Sequence, residues 1–227
     1  MKTNYAGHDA RYRKLRDEGA PGWDTAEGYL EHEGELAWML AALEPRRGNR
    51  LLELGCGAGN VAGWLVERGF EVTGIDISPT AVAWATERAI PNTRFLVGDL
   101  VAGIDGEYDV VLDGHCLHCI IGDDRARMLA NVRAALVPNG DFFISTMCGE
   151  ITLPELRATF DPVTRCQVVD GVAYRFIGDA DELLDELRTA GFEIVRSTIH
   201  RRKDDNDQDN LWALTRKKPA PRRVLGS

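Results

Sequence analysis

A glycine-rich turn between a predicted strand and a predicted helix is the feature that most constrains the fold. Residues 50–54 read RLLEL, a short apolar run typical of a buried parallel strand, and residues 55–60 read GCGAGN. An amphipathic helix follows, and then a second strand, 70–76, which ends in Asp76. This order is typical of a nucleotide-binding unit, in which glycines let the backbone approach the ligand closely.

Strands and helices continue to alternate after this unit. Further strands are predicted at 93–99, 108–113 and 140–147, and a terminal hairpin at 192–202 and 210–217. Repeated strand–helix units predict an α/β fold with a doubly wound, mostly parallel sheet, helices on both faces and one antiparallel strand from the hairpin. Residues 1–49 look helical and loop-like, and residues 148–178 show little periodicity. In such sheets ligands bind beyond the carboxyl ends of the strands.

Composition narrows the functional class. The formal net charge of −9 argues against non-specific nucleic-acid binding, which needs a basic surface. No apolar run approaches the roughly 20 residues that span a bilayer, and the first residues lack an apolar signal core. We therefore expect a cytoplasmic protein with no membrane partner. An odd number of cysteines, five, fits a reducing compartment better than a disulfide framework.

The glycine spacing bears on the kind of nucleotide. A dinucleotide site typically has Gly-x-Gly-x-x-Gly, whereas this chain has Gly-x-Gly-x-Gly, which begins two residues after the acid Glu53. A carboxylate there would repel a pyrophosphate but suits an ammonium group. Asp76 can accept hydrogen bonds from a ribose diol. A nucleoside that carries an amino acid fits both acids.

Five segments in order carry a family resemblance. LLELGCGAGN, VTGIDIS, FLVGDL, YDVVLD and LVPNGDFFIST resemble the pattern of class I S-adenosylmethionine-dependent methyltransferases, and the resemblance covers about residues 48–216. It implies a seven-stranded sheet of order 3-2-1-4-5-7-6 with strand seven antiparallel. We expect a helical cap at 1–49, a Rossmann-like domain at 50–218 with an acceptor-pocket insertion at 148–178, and a flexible tail at 219–227.

The resemblance also implies roles for the residues that match the family pattern. The glycines would lie under the methionine part of S-adenosylmethionine, Glu53 near its amino group, Asp76 at the ribose, Ile77 and Leu100 at the adenine, and Asp99 at the adenine amino group. Asp113 would face the methionine end of the pocket. Asp99 could instead be a turn residue and Asp113 a structural cap. The predicted cofactor-binding residues are Glu53, Gly55, Gly57, Gly59, Asp76, Ile77, Asp99, Leu100 and Asp113.

The segment DGHCLHC, residues 113–119, contains two histidines and two cysteines. A structural zinc ion needs four tetrahedral ligands, and one short loop cannot direct all four of these side chains at one metal, so no metal is expected. The segment follows the predicted strand 108–113, on the acceptor side of the cofactor. His115 or His118 could take a proton from the acceptor, and Asp113 or Glu150 could hold a cationic amine. His118 could equally be a framework residue. The catalytic candidates are Asp113, His115 and His118.

The acceptor is expected to lie between the N-terminal segment and residues 148–178. The candidate contacts are Tyr5, Tyr12, Trp23, His115, Glu150 and Tyr174; Arg157, Arg165 and Arg175 are candidates to grip an anion. The sequence thus predicts methyl transfer to an oxygen, nitrogen, sulfur or carbon atom of a small molecule. A methyltransferase of RNA or protein and a non-catalytic S-adenosylmethionine-binding protein are the alternatives, and a homodimer is left open.

Overall fold

The computed structural model describes residues 1–24, 26–43, 48–202 and 207–218, with the backbone alone for residues 26–32. The predicted flexible tail at 219–227 and part of the turn between the last two strands lie outside these residues. The helices are α1 (Gly7–Asp17), α2 (Ala26–Ala42), α3 (Ala62–Glu67), α4 (Pro79–Glu87), α5 (Asp123–Ala135), α6 (Pro154–Arg157) and α7 (Ala180–Thr189). The strands are β1 (Lys2–Thr3), β2 (Arg50–Leu54), β3 (Glu71–Asp76), β4 (Thr93–Val97), β5 (Tyr108–Gly114), β6 (Leu136–Met147), β7 (Phe160–Asp161), β8 (Cys166–Val169), β9 (Val172–Phe176), β10 (Phe192–His200) and β11 (Asn210–Lys217).

The main sheet has seven strands in the order β10-β11-β6-β5-β2-β3-β4. β11 is antiparallel to both β10 and β6, and the remaining neighbours are parallel. If the seven strands of this sheet are numbered 1 to 7 in chain order and listed from β4, the order is 3-2-1-4-5-7-6. The predicted doubly wound sheet and its antiparallel strand are therefore confirmed.

Helices cover both faces of the main sheet because neighbouring strand residues point to opposite sides. Val111 and Phe142 pack in one core cluster, with side chains of α5 and α7. Their neighbours Val110 and Phe143 pack in a second cluster, with side chains of α2 and α3. Burial of these side chains on both faces, at about 25 cal/mol per Å² of apolar surface, fixes the strands and hence the loops at their carboxyl ends.

A second, four-stranded sheet has the order β1-β9-β8-β7. β7, β8 and β9 form an antiparallel meander, and β1 adds to β9 in parallel. The sequence shows little periodicity over residues 148–178, and it predicts only helices and loops before residue 49. These strands have two to five residues, which is too short for an alternating pattern to stand out.

The small sheet packs against the loop that follows β5. Ala173 and Cys166 pack with Ile121 in a separate apolar cluster. The hydroxyl of Tyr5 donates to Asp124 at 2.8 Å and accepts from the backbone N–H of Ile121 at 3.2 Å. The N-terminal segment, the meander and this loop therefore meet near the carboxyl edge of the main sheet. None of the described helices is long and apolar enough to span a membrane.

Candidate active site

A cavity of about 360 Å³ lies at the carboxyl edge of the main sheet. This volume is in the range of small-molecule sites. The predicted site residues that line it are Tyr5, Tyr12, Trp23, Glu53, Gly55, Gly57, Asp76, Ile77, Asp99, Leu100, His115 and His118. Gly59, Asp113, Glu150 and Tyr174 are not among its lining residues. The cavity also takes in residues that we had not predicted, including Asp24, Glu35, Cys56, Met147 and Asp207.

The glycine loop joins β2 to α3 in a backbone conformation that favours glycine. Gly55, Gly57 and Gly59 have φ angles of 64°, 53° and 70°. A Cβ at Gly57 would lie 2.5 Å from the hydroxyl oxygen of Tyr12, which lines the cavity from α1. A Cβ at Gly59 would lie 3.0 Å from the Cβ of Ala85 in α4. Gly57 thus allows Tyr12 of α1 to approach the loop, whereas Gly59 serves helix packing behind it.

Asp76 ties the end of β3 to the glycine loop. Its Oδ2 accepts from the Gly57 N–H at 2.9 Å, and its Oδ1 accepts from the Ser78 N–H at 2.8 Å. Burial raises the pKa of Asp76, and these two hydrogen bonds oppose the shift. Each carboxylate oxygen keeps a further lone pair, so Asp76 can hold the loop and also accept from ligand hydroxyls.

Glu53, in β2, brings an unpaired carboxyl to the cavity wall. The residue is buried, and its Oε2 has no hydrogen-bond partner. Burial raises the pKa of Glu53 to about 8, and the negative charge of Asp76 adds to the shift. An unpartnered buried carboxyl is costly, and a cationic ligand group beside it would remove that cost. The site therefore fits a ligand that carries an ammonium group.

The opposite end of the cavity lies after β4. Asp99 and Leu100 line it together with Gly98 and, from the end of β3, Ile77. Asp99 Oδ1 accepts from the Val101 N–H at 2.8 Å, so this carboxylate also shapes the turn. The cavity here combines an apolar wall with an exposed carboxylate, which suits a flat ring that bears an amino group.

Asp113 lies at the end of β5, behind the loop that it supports. Its Oδ1 accepts from the N–H groups of Cys116 and Leu117 at 3.0 and 2.9 Å. The side chain is fully buried and its Oδ2 has no partner. Burial raises the pKa of Asp113 to about 7, and the nearby His115 opposes this shift. Asp113 thus fixes the conformation of residues 115–119, of which His115, Cys116, His118 and Cys119 line the cavity.

His115 lies in a backbone conformation that is costly for a residue with a side chain, with a φ angle of 67°. Its Nε2 lies 3.1 Å from Glu35 Oε1 and 3.3 Å from the Ser145 hydroxyl oxygen. Burial alone would lower the pKa of His115, but the charge and hydrogen bond of Glu35 raise it above its ordinary value. A half-buried imidazole and a buried carboxylate therefore form an ion pair in the cavity wall.

Glu35 is the most informative residue that the sequence did not reveal. It precedes Leu36 and lies one turn before Met39, so it occupies the apolar, sheet-facing side of α2. A carboxylate at such a position indicates a buried partner. That this partner is His115 follows only once the fold places α2 against the loop after β5.

His118 and the cysteines of DGHCLHC are held in their neutral forms. Burial and the charge of His115 lower the pKa of His118 well below its ordinary value, and the buried Nδ1 of His118 has no partner. Burial raises the pKa of Cys116 well above its ordinary value and that of Cys119 to about 11. Both cysteines are therefore thiols near neutral pH. Within the described residues, no three His, Cys, Asp or Glu side chains are placed to hold a metal ion.

The remaining acceptor candidates separate into two groups. Trp23 lies 5.2 Å from Tyr12 and 5.6 Å from His8 between ring centroids, so an aromatic cluster covers the cavity from the N-terminal side. Tyr174 is exposed on β9, while the next residue, Arg175, lines the cavity. Glu150 is exposed in the loop after β6.

Comparison with known proteins places residues 52–144 in a family described as a methyltransferase domain. A trans-aconitate 2-methyltransferase of Mycobacterium ulcerans is 26% identical over 90% of this chain and 77% of its own length. A ribosomal RNA small subunit methyltransferase C of Alcanivorax borkumensis is 29% identical over 48% of this chain and 34% of its own length. The chain spans less than half the length of the curated relatives that it matches first, 37%, 34% and 44%.

Among solved structures, the fold is similar to a 1,6-didemethyltoxoflavin-N1-methyltransferase of Burkholderia thailandensis. The two are 25% identical, with a TM-score of 0.58 over 85% of this chain and 87% of the other. That structure contains 1,6-didemethyltoxoflavin and S-adenosylhomocysteine.

Proposed function

We propose that this chain is a class I S-adenosylmethionine-dependent methyltransferase that binds S-adenosylmethionine and methylates a small molecule. The observation that carries the proposal is one cavity that joins the glycine loop, Glu53 and Asp76 to the pair formed by His115 and Glu35. Residues suited to hold the cofactor and residues suited to transfer a proton thus line one cavity, as transfer between two bound molecules requires.

The cofactor would lie along the ends of β2, β3 and β4. Glu53 would face its ammonium group, Asp76 its ribose hydroxyls, and Asp99 its adenine, while the apolar side chains of Ile77 and Leu100 flank the ring. The orphaned Oε2 of Glu53 supports this placement because the ammonium group supplies the missing donor. When bound, S-adenosylmethionine would supply an electrophilic methyl group on its sulfonium sulfur.

The acceptor would occupy the part of the cavity beside His115. Trp23, Tyr12 and Tyr5 line it from the N-terminal side, so we propose that residues 1–49 act as a cap. Residues 148–178, which contain the small-sheet meander, would complete the acceptor pocket as the predicted insertion. Trans-aconitate and 1,6-didemethyltoxoflavin, the molecules named for two of the similar proteins, fit the expectation of a small acceptor.

His115 is the residue that we assign to proton transfer. Its Nε2–H would donate to Glu35, which leaves Nδ1 as the basic nitrogen of the neutral ring. A neutral His115 would take the acceptor's proton as the methyl group arrives, and Glu35 would stabilise the resulting imidazolium. Asp113 would contribute by fixing the loop rather than by contact with the acceptor, since its Oδ1 is bound to two backbone N–H groups. His118, neutral and buried, would serve as part of the wall.

Methylation of RNA is the second candidate, favoured by the similarity to a ribosomal RNA methyltransferase. The charges argue for the small molecule. The described cavity lining contains six acidic side chains, Asp24, Glu35, Glu53, Asp76, Asp99 and Asp207, and the chain has a formal net charge of −9. Binding of a phosphodiester backbone depends on clustered lysine and arginine.

Two measurements test the proposed function. Calorimetry should detect binding of S-adenosylhomocysteine, and Asp76→Ala should weaken it by about tenfold or more, the loss expected for hydrogen bonds to a charged group. Asp161→Ala, at the end of β7 and outside the cavity lining, is the matched control. Release of S-adenosylhomocysteine should then be measured with a panel of small acceptors and with ribosomal RNA. No cofactor binding would refute the proposal, and release with RNA alone would favour the second candidate.

A further inference from the structure

We propose that Arg175 forms a carboxylate-binding subsite in the acceptor part of the cavity, and that the methyl acceptor is a small carboxylate anion. The inference rests on the proposed function and names the substrate class of the same site. Arg175 lies on β9 and lines the cavity together with His118, Cys119 and Met147. It therefore reaches the cavity from the small sheet, on the side away from the cofactor residues of β3 and β4.

The hydrogen bonds of Arg175 leave one edge of its guanidinium group open. Its Nη1 donates to Gln167 Oε1 at 3.0 Å, across the β8–β9 pair. Its Nε is buried and has no hydrogen-bond partner. No described acidic side chain forms an ion pair with it. A buried, charged donor without an acceptor is costly in the folded protein, and a ligand acceptor would remove the cost.

The other two arginines of residues 148–178 have hydrogen-bond partners for these donors and lie outside the cavity lining. Arg157 donates through Nε to the Ile151 carbonyl, and Arg165 binds both carboxylate oxygens of Asp179. Neither lines the cavity. Of the three arginines that the sequence offered for gripping an anion, the structure thus places only Arg175 where a bound acceptor would lie.

The geometry of the open edge favours a carboxylate. Gln167 occupies Nη1, so Nε and Nη2 remain as the two parallel donors that match the two oxygens of a carboxylate. Arg175 is also the only arginine in the described cavity lining, which contains no lysine. One cation balances a singly charged carboxylate, whereas a phosphate monoester or a nucleic-acid backbone calls for more. The neighbouring His118 is neutral, and its unpartnered Nδ1 adds a polar group beside the subsite.

The experiment uses two acids and their uncharged counterparts as probes, since the natural acceptor is unidentified. Benzoate and butyrate are compared with benzamide and butyramide by ligand-observed NMR titration, with the protein saturated with S-adenosylhomocysteine. The wild-type protein should bind at least one acid and neither amide. Arg175→Gln should weaken binding of the acid by about tenfold or more, the usual effect of removing charge-assisted hydrogen bonds. Arg175→Lys, which keeps the charge but loses the paired donors, should give an intermediate loss, and Arg157→Gln should change nothing.

Five outcomes are informative. Equal binding of acids and amides, or unchanged binding to Arg175→Gln, would overturn the inference, as would failure of the wild-type complex to bind either acid. If Arg175→Gln weakens binding of S-adenosylhomocysteine itself, the subsite holds the carboxylate of the cofactor and not of the acceptor. If the wild-type protein does not bind S-adenosylhomocysteine, the proposed function fails instead. Circular dichroism melting of each variant separates a loss of binding from a loss of folding.

Discussion

The carboxylate of Glu35 lies 3.1 Å from Nε2 of His115, although α2 and the end of β5 are far apart in the chain. The contact joins the proposed cap to the loop that carries the proposed base. Because the pair is largely shielded from water, with side-chain exposures of 10% for Glu35 and 24% for His115, its electrostatic effect is stronger than that of a surface pair.

Replacing Glu35 with glutamine should lower the pKa of His115. The substitution keeps an oxygen acceptor but removes the charge, and loss of a nearby opposite charge lowers a histidine pKa. NMR titration of the His115 ring measures this shift directly. Methyl transfer should also reach its plateau at a lower pH in the variant, because the neutral ring becomes available earlier.

The stability of the wild-type pair has a defined pH dependence. The folded pKa of His115 is raised above its ordinary value of 6.5, so its stabilising effect is fully present below pH 6.5 and is lost as the pH rises through the folded pKa. Glu35→Gln should remove this dependence, whereas Glu67→Gln, at an exposed carboxylate, should retain it. An unchanged His115 titration in Glu35→Gln would contradict the ion pair.

Cofactor binding should release a proton from Glu53 at neutral pH. The pKa of Glu53 is raised to about 8 by burial and by Asp76, so the carboxyl is mostly protonated before the ligand binds. An ammonium group beside it would favour the carboxylate and release up to about one proton at pH 7. Calorimetry of S-adenosylhomocysteine binding in buffers of different ionisation enthalpy measures this number.

Glu53→Gln is the matched variant for this measurement. It should bind the ligand more weakly and release no proton. The same elevated pKa predicts that the free energy of unfolding of the ligand-free protein falls between about pH 4.5 and 8, since the unfolded carboxyl ionises first. Equal proton release by the wild type and Glu53→Gln would assign the proton to another group.

Gly57→Ala should destabilise the protein and disrupt the cofactor loop. The added Cβ meets two penalties, a φ angle of 53° and a position 2.5 Å from the Tyr12 hydroxyl oxygen. Gly19→Ala is a matched control, because its φ angle of 71° carries the conformational penalty while no atom lies within 4 Å of the new Cβ. The control should lose about 1 kcal/mol in urea unfolding, and Gly57→Ala clearly more.

A double variant separates the two penalties at Gly57. Gly57→Ala combined with Tyr12→Phe removes the hydroxyl and should recover part of the lost stability, leaving a loss close to that of Gly19→Ala. If the single variant already matches Gly19→Ala, Tyr12 does not lie against the loop as described.

His115 and His118 should respond differently to substitution. His115→Gly removes the proposed base, so methyl transfer should be lost. Relief of a left-handed backbone that is strained for a non-glycine residue should offset part of the stability lost with the Glu35 contact. His118→Ala empties a buried position and should destabilise the protein by about 2 kcal/mol or more. Thermal melting and turnover, measured together, check this contrast. Full turnover by His115→Gly would remove His115 from proton transfer.

The sequence was sufficient for the main sheet because its strands are long enough to show burial and its turns carry glycine or proline. The glycine loop and Asp76 could likewise be found, since both lie in one continuous strand–turn–helix–strand unit. The small sheet could not, because β1 consists of Lys2 and Thr3 alone and pairs with the distant β9. Glu35 shares this limitation, and Arg175 could be named as a candidate but not distinguished from Arg157 and Arg165. Glu35 is significant because folding places it beside His115, and Arg175 because folding leaves its Nε without a hydrogen-bond partner.

Separate elements of the fold carry the two halves of the proposed reaction. Asp76 and the glycine loop are built into the main sheet, whereas Arg175 projects from a short meander that touches that sheet through few core residues. Changes in β7, β8 and β9 could therefore alter the acceptor while the cofactor site stays intact. In evolutionary terms, the meander is a region where new specificity can arise by single substitutions without a loss of methyl-donor binding.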